Sequence, residues 1–334
     1  MTADVPRFSV LIAAYNHAAF VVETLESVSR QRRHDFEIIV VDDGSTDDTA
    51  ALISRWMESF RRARGLRAEL LRIGNAGQSR ALEQGFAATR GAYVCLLDSD
   101  DRWLEDKLDE VEQAITARPD AGMIVHPLYV MDATGRRTGD VRPKRARLSQ
   151  GDCRADLRRT GRHVAPATSG VVIRRDVVQA LLPMPTGEFT FGADAYLTFG
   201  ATLQAPVAAI GKPLGEYRVH AEGQFFRRML SVEGLSRSIA LQRTIATHFG
   251  LDGALMHNSF FMRNVFALAK LQGTASAQLA AFRGLVDATA RDRSFSLPVR
   301  AMLLAYWGAC LIAPEAGFRH LWSRFQTSHT GYAR

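Results

Sequence analysis

The chain has 334 residues, 47% hydrophobic and 23% charged, a globular balance with ample core material. Its 42 Lys and Arg against 35 Asp and Glu leave a net charge of +7, which favours anionic partners. The three cysteines (Cys95, Cys153, Cys310) are too far apart for a zinc-type cluster or a disulfide framework, which points to a reducing compartment.

Met1 to Arg7 is polar and lacks the design of a signal peptide. Phe8 to Ala14 (FSVLIAA) is a continuous apolar run, the mark of a strand buried on both faces of a parallel sheet. Tyr15, Asn16 and His17 read as a loop. Phe20, Val21, Leu25 and Val28 then share one face of a helix. Phe36 to Val41 is a second buried strand and runs into Asp42, Asp43 and Gly44, where the glycine suits a tight turn. Ser45, Thr46 or Asp47 can cap the helix that carries Leu52, Ile53, Trp56, Met57 and Phe60.

Leu66 to Ile73 is a third strand, Asn75 to Ser79 a turn, and Arg80 to Thr89 a helix. Tyr93 to Leu97 is a fourth strand ending in Asp98, Ser99, Asp100 and Asp101. Continued as extended backbone, it would aim Asp98 and Asp100 the same way and Ser99 oppositely. Two converging carboxylates repel unless a cation offsets them, and a hard divalent ion bridging to phosphates is the usual remedy. The bland alternative is a solvated acidic turn before a helix. Strands alternating with helices predict a doubly wound α/β sheet. Ligands of such sheets sit beyond the carboxyl ends of the strands, where Tyr15/Asn16, Asp42/Asp43 and Asp98/Asp100 all fall.

Beyond Asp101, Lys107 to Ala117 reads as helix and Gly122 to Met131 as one strand. Arg136 to Arg162 is strongly basic with little periodicity. It suits phosphates or anionic headgroups, and its near lack of aromatics argues against nucleic acid. Val171 to Ile173 reads as a strand and Arg175 to Leu182 as a helix. Phe189 to Thr202 contains a helix interrupted by Asp194, Val207 to Ile210 is a short strand, and Leu214 to His220 an extended arm. From about Ser231 the chain reads as helical. The expected division is a main domain over 1–228 and a helical region over 229–334. The apolar run Ala301 to Ala313 falls short of the roughly 18 residues of a spanning helix. With its Trp and Arg flanks it suits packing on the main domain, a membrane interface or a homodimer.

Two chemistries fit the acidic pairs: a receiver-type phospho-switch, for which the chain is far too long, and nucleotide-sugar binding. No G-x-G-x-x-G follows any strand, which disfavours a dinucleotide oxidoreductase. Taken together, FSVLIAAYN (8–16), FEIIVVDDGSTDDT (36–49), NAGQSRALEQGF (75–86), GAYVCLLDSDD (91–101), GADAYLTFGA (192–201) and GEYRVH (215–220) resemble a family 2 glycosyltransferase of the GT-A type. The resemblance covers roughly residues 7 to 222.

It implies a mostly parallel, Rossmann-like α/β sheet with a nucleotide-sugar half (1–101), an acceptor half (102–228) and a C-terminal helical appendage. It implies Ala14, Tyr15, Asp42 and Asp43 around the base and ribose, with Gly77, Gln78, Asp98, Ser99 and Arg218 also at the donor. It implies Asp100 and His220 on Mn2+ or Mg2+, and Asp194 as catalytic base. Asp194 could instead be a helix N-cap, and His220 purely structural. Glu83 stands where relatives often carry Asn, and Ala193 where an acid often precedes the base. The implied reaction is an inverting, metal-dependent sugar transfer from a nucleotide-diphosphate sugar to a sugar or lipid-linked hydroxyl. The implied setting is cytoplasmic, in cell-surface polysaccharide or glycolipid synthesis. A catalytically silent nucleotide-sugar binder of the same fold is the alternative.

Overall fold

The computed structural model describes residues 5–144, 146–185, 192–220 and 231–330, with side chains through 325. In chain order the elements are β1 (Phe8–Ala14), α1 (Val21–Ser29), β2 (Phe36–Asp42), α2 (Thr49–Arg64), β3 (Ala68–Arg72), α3 (Gln78–Ala88), β4 (Tyr93–Asp98) and β5 (Arg102–Trp103). Then come α4 (Lys107–Ala117), β6 (Met123–Val125), β7 (Leu128–Met131), β8 (Arg137–Arg142), α5 (Arg154–Thr160), β9 (Val171–Arg174), α6 (Arg175–Gln179), α7 (Ala193–Gln204), β10 (Val207–Ala209) and β11 (Gly215–Arg218). The last helices are α8 (Val232–His248), α9 (Ser259–Gln272), α10 (Ala275–Arg291), α11 (Leu297–Ile312) and α12 (Glu315–Thr330).

The chain divides into two compact units. The first comprises Met1–Arg142, Gln150–Asp152 and Ala165–Arg218; the second comprises Pro143–Ser149, Cys153–Val164 and Val219–Arg334. Two pieces of the basic stretch, assigned by sequence to the main domain, thus group with the helices. Charge divides along the same line. The first unit holds 22 Lys and Arg against 28 Asp and Glu (net −6), the second 20 against 7 (net +13).

In the first unit a seven-stranded sheet runs β10-β6-β9-β4-β1-β2-β3, parallel except for β9, which is antiparallel to both neighbours. The apolar runs of β1, β2 and β4 are buried, as strands covered by helices on both faces must be. Register sets Ala14 beside Asp42 and Ala13 beside Asp98, so the β1, β2 and β4 ends are level at one edge. The expected convergence of the three polar clusters is therefore met. A smaller sheet runs β5-β11-β7-β8.

Three expectations need correction. Gly122 to Met131 is two strands in different sheets, because Pro127, which has no N–H to give a ladder, sits at the break. Leu214 to His220 contributes a paired strand, β11, held between β5 and β7. The basic stretch also contains β8, antiparallel to β7. The sequence-expected start of the Asp194 helix falls partly in 186–191, outside the described residues.

The second unit is built on a helical core in which Phe261, Phe266, Leu285, Trp307, Phe318 and Trp322 are buried together. Ser231, Asn258 and Thr274 cap α8, α9 and α10 by accepting first-turn N–H groups. None of the described helices is long and apolar enough to cross a membrane.

Gly91, just before β4, lets that turn close on β1. A Cβ there would fall 2.5 Å from Ser9 N and 2.6 Å from Phe8 C, both backbone atoms. Gly91→Ala is expected to destabilise the first unit by about 1–3 kcal/mol, the usual cost of overpacking. A circular-dichroism melt checks this, and an unchanged Tm would contradict so close an approach.

Candidate active site

Three loops are laced together at the carboxyl edge. After β1 the backbone turns through Asn16 at φ 52°, an αL conformation that Asn tolerates. Asn16 N donates to Ser45 Oγ (2.9 Å), Thr46 N donates to Asn16 Oδ1 (2.8 Å), and His17 N donates to Thr49 Oγ1 (2.8 Å). Asp43 N donates to Ala14 O (2.8 Å). Gly44 has φ 72° and passes so near Asn75 that a Cβ would lie 2.7 Å from its amide nitrogen. Asp43 accepts Ala76 N and Gly77 N at 2.8 Å, one on each carboxylate oxygen. Asp43 therefore braces the turn into α3. Asp42 is fully buried; its Oδ2 has no hydrogen-bond donor, and Arg72 Nε is 3.6 Å away. Ala14 is buried, and Tyr15 beside it is half-buried.

The acidic motif is not extended. β4 ends at Asp98, and Asp101 N donates back to Asp98 O (3.1 Å), closing a turn. The turn nonetheless keeps the alternation expected from the sequence. Ser99 and Asp101 are buried, whereas Asp98 and Asp100 keep partial exposure at the edge. Asp101 Oδ2 accepts Ser169 Oγ (2.6 Å) and its Oδ1 accepts Arg218 N (2.8 Å). Asp98 N donates to the same Ser169 Oγ (3.0 Å). Thr24 Oγ1 reaches both Ser99 O (3.0 Å) and Asp101 O (2.8 Å). Lys107, fully buried, donates to Ser169 O (2.8 Å) and lies over the Trp103 ring at 3.6 Å.

This turn concentrates negative charge. Burial, then the nearby Asp100 and Asp194 carboxylates, push the Asp98 carboxyl up to about 8. Burial, followed by the Asp100 and Asp98 charges, holds Asp101 well above the ordinary range. Asp194, in the first turn of α7, is raised by burial against two lowering backbone N–H contacts. Asp98, Asp100 and Asp194 are thus neighbours in space. Gln78 Nε2 approaches Asp98 Oδ1 at 3.5 Å from the start of α3. Ser99 Oγ is 2.7 Å from His17 Nδ1.

His17, Asp100 and His220 each offer one metal-ligating atom, all within 4.8 Å of one another. His220 is the second residue past β11, so that strand's own backbone carries it there. Two imidazoles and a carboxylate suit Mn2+ at least as well as Mg2+, so the donor set fits the expected divalent ion. Sequence reading placed His17 merely in a loop; its position one residue after Asn16, at a strand's carboxyl end, was the available signal.

Arg218 needs correction as a diphosphate contact. Its side chain is 2% exposed and its guanidinium is engaged inward. Nε donates to Asp100 O (2.7 Å), one terminal nitrogen donates to Ala133 O (3.1 Å), and the other pairs with Glu23. It is a positioning residue beneath the acidic turn. Glu83 accepts Met184 N (3.0 Å) and pairs with Arg80 (2.7 Å), so it is occupied in bracing α3. Thr24, Lys107 and Ser169 went unnoticed in the sequence, because each acts through a partner more than sixty residues away.

The sequence model described as Glycosyl transferase family 2 matches residues 9–182. An uncharacterised glycosyltransferase of Nostoc sp. is 28% identical over 214 residues, covering 64% of this chain and 65% of that protein. The match therefore spans less than two thirds of that curated relative. Among solved structures, S. aureus TarS 1-349 in complex with UDP-GlcNAc aligns with a TM-score of 0.57 at 17% identity, covering 98% of this chain and 93% of that one. The mannosyltransferase PcManGT of Pyrobaculum calidifontis, in complex with GDP-Man and Mn2+, gives a TM-score of 0.52 at 20% identity, covering 97% and 85%. These likenesses carry the fold, a GT-A type α/β sheet with C-terminal helices.

Burial and the neighbouring charges set up a measurable pH effect. Burial pushes the Lys107 ammonium down to about 7, whereas in the unfolded chain it titrates near 10.4. Between those values the unfolded state holds a proton that the folded state has released, so this group makes stability rise with pH. The wild type is expected to gain over Lys107→Met by roughly 1 kcal/mol per pH unit from pH 7 to 10. Paired denaturant melts measure this; a pH-independent difference would sink it.

Proposed function

Because the chain belongs to glycosyl transferase family 2, we propose that it is a glycosyltransferase working by a single, inverting displacement. The donor is a nucleotide-diphosphate sugar, and the acceptor a hydroxyl of a sugar or lipid-linked glycan. The observation that carries this reading is the cluster of Asp98, Asp100 and Asp194 at the carboxyl edge of the sheet, beside His17.

Tyr15 and Asp43 face the base and ribose with Ala14 behind them, and Gly77, Gln78 and Asp98 complete the donor side; Asp42, fully buried beside Arg72, shapes the turn instead, and Ser99, also buried, holds His17. Asp43 keeps lone pairs beyond the two it shares with Ala76 and Gly77, since a carboxylate accepts about four bonds. His17, Asp100 and His220 would hold Mn2+ or Mg2+. When bound, the ion supplies Lewis-acid stabilisation of the departing diphosphate. Asp194 takes the acceptor hydroxyl's proton. The freed oxygen pair attacks the anomeric carbon, and the carbon–oxygen bond to the diphosphate breaks with its electrons going to the leaving group. A raised carboxyl is better matched to this task near neutral pH than an ordinary one. That TarS and PcManGT were solved with nucleotide sugars, the latter with Mn2+, supports the donor class and the ion.

The acceptor half is the rest of the first unit, 102–142, 150–152 and 165–218, and cell-surface polysaccharide or glycolipid synthesis is the setting. The helical unit, at net +13 with Leu297 73% and Ile312 85% exposed on α11, suits peripheral contact with an anionic membrane. Sedimentation with phosphatidylglycerol vesicles is expected to carry the protein down at low salt, and phosphatidylcholine vesicles are not. Equal partition onto both would remove the electrostatic part of this reading.

The central test is calorimetric titration with nucleotide sugars with and without Mn2+, followed by NMR of the product anomer. Asp100→Asn and His17→Ala are expected to lose metal-dependent donor binding. Asp194→Asn should keep it while kcat falls about 10²–10⁴-fold. A retained anomeric configuration would overturn the single displacement. Donor binding with no transfer to any acceptor would favour a silent nucleotide-sugar binder.

A further inference from the structure

The helical unit holds a buried cation with no anion beside it. Arg263, on α9, lies over three aromatic rings, its guanidinium carbon 4.3 Å from the Phe260 centroid, 5.4 Å from Phe325 and 5.9 Å from Trp322. Its Nε–H and the Trp322 indole Nε1–H are both buried without a hydrogen-bond acceptor. Among the described residues no carboxylate pairs with Arg263. The charge that acts on it is another cation, Arg162, itself bound to Asp292 Oδ2 at 2.5 Å. Burial, then that repulsion, push Arg263 down to about 9, yet a guanidinium stays charged at neutral pH. The ring faces answer part of its charge. They offer nothing to in-plane N–H groups, which need lone pairs.

Two orphaned donors next to one uncompensated positive charge are what an oxyanion satisfies, and buried donors left unmade are costly. The surrounding unit, 20 Lys and Arg against 7 Asp and Glu, raises the local concentration of multiply charged anions above that of simple carboxylates. We propose that Arg263 and Trp322 form a phosphate-binding site in the helical unit, separate from the donor site of the first unit. The occupant is the phosphate group of a soluble phosphoester or of a lipid headgroup. Arg263 supplies charge and a fork of donors, Trp322 one directed donor, and Phe260 and Phe325 the dry wall that strengthens both. Arg263 keeps part of its surface exposed.

The test uses the full chain and the indole N–H signals of its four tryptophans, with Trp322→Phe assigning the relevant one. Inorganic phosphate is added against chloride at constant ionic strength. The Trp322 signal is expected to shift saturably in the wild type and not in Arg263→Met. Arg263→Lys, which keeps the charge but loses the Nε donor, should bind at least tenfold more weakly and covers the case in which Arg263→Met does not fold. Phosphatidylglycerol vesicles form the second arm. If phosphate leaves the signal unmoved but Arg263→Met and Trp322→Phe weaken vesicle binding at least tenfold, the source is a lipid headgroup. A Trp322 signal moved by neither probe, or moved equally in Arg263→Met, overturns the site. Asp100→Asn should retain the phosphate response while losing the donor's, so failure here and failure of the donor site are distinguishable.

Discussion

The buried carboxylate of Asp101 is the constraint on which the rest of the first unit depends. It is 0% exposed and surrounded by other acids, so its burial is tolerable only because donors are supplied to both oxygens. Those donors come from Ser169 and from the amide of Arg218, 68 and 117 residues along the chain. One side chain therefore ties the end of β4 to the turn before β9 and to β11. Turned inward, it leaves Asp98 and Asp100 at the edge. The same Ser169 hydroxyl accepts Asp98 N, and Arg218 returns to grip Asp100 O. The edge is thus held through its backbone groups.

That arrangement has an electrostatic consequence. Burial, then the Asp100 and Asp194 charges, raise the proton affinity of Asp98, and like charges so placed call for a cation. His17 and His220 each bring a possible ligand atom within 4.8 Å of one on Asp100. Lys107 lies below the turn and spends its N–H on a carbonyl and its charge on the Trp103 face. The net positive charge of the chain lies in the other unit, at +13 against −6. An acidic sheet edge and a basic helical unit are different electrostatic environments for anions.

The sequence by itself determined the sheet and its working edge. Continuous apolar runs at 8–14, 36–41 and 93–97 can be buried only with both faces covered, and polar residues at their ends can lie only beyond the strands. Register then had to bring Ala14, Asp42 and Asp98 level, as it does. Asp100 follows directly from the end of its strand, whereas Asp194 and His220 entered only through the resemblance to a family 2 glycosyltransferase. Only the tertiary structure decided what each polar side chain does. It turned Asp101 inward, drew Arg218 away from the donor, made Glu83 a brace, added His17 to Asp100, and split Gly122 to Met131 between two sheets. These outcomes depend on partners distant in sequence, and a side chain's direction follows from which donor reaches it first. Periodicity carries no information about that.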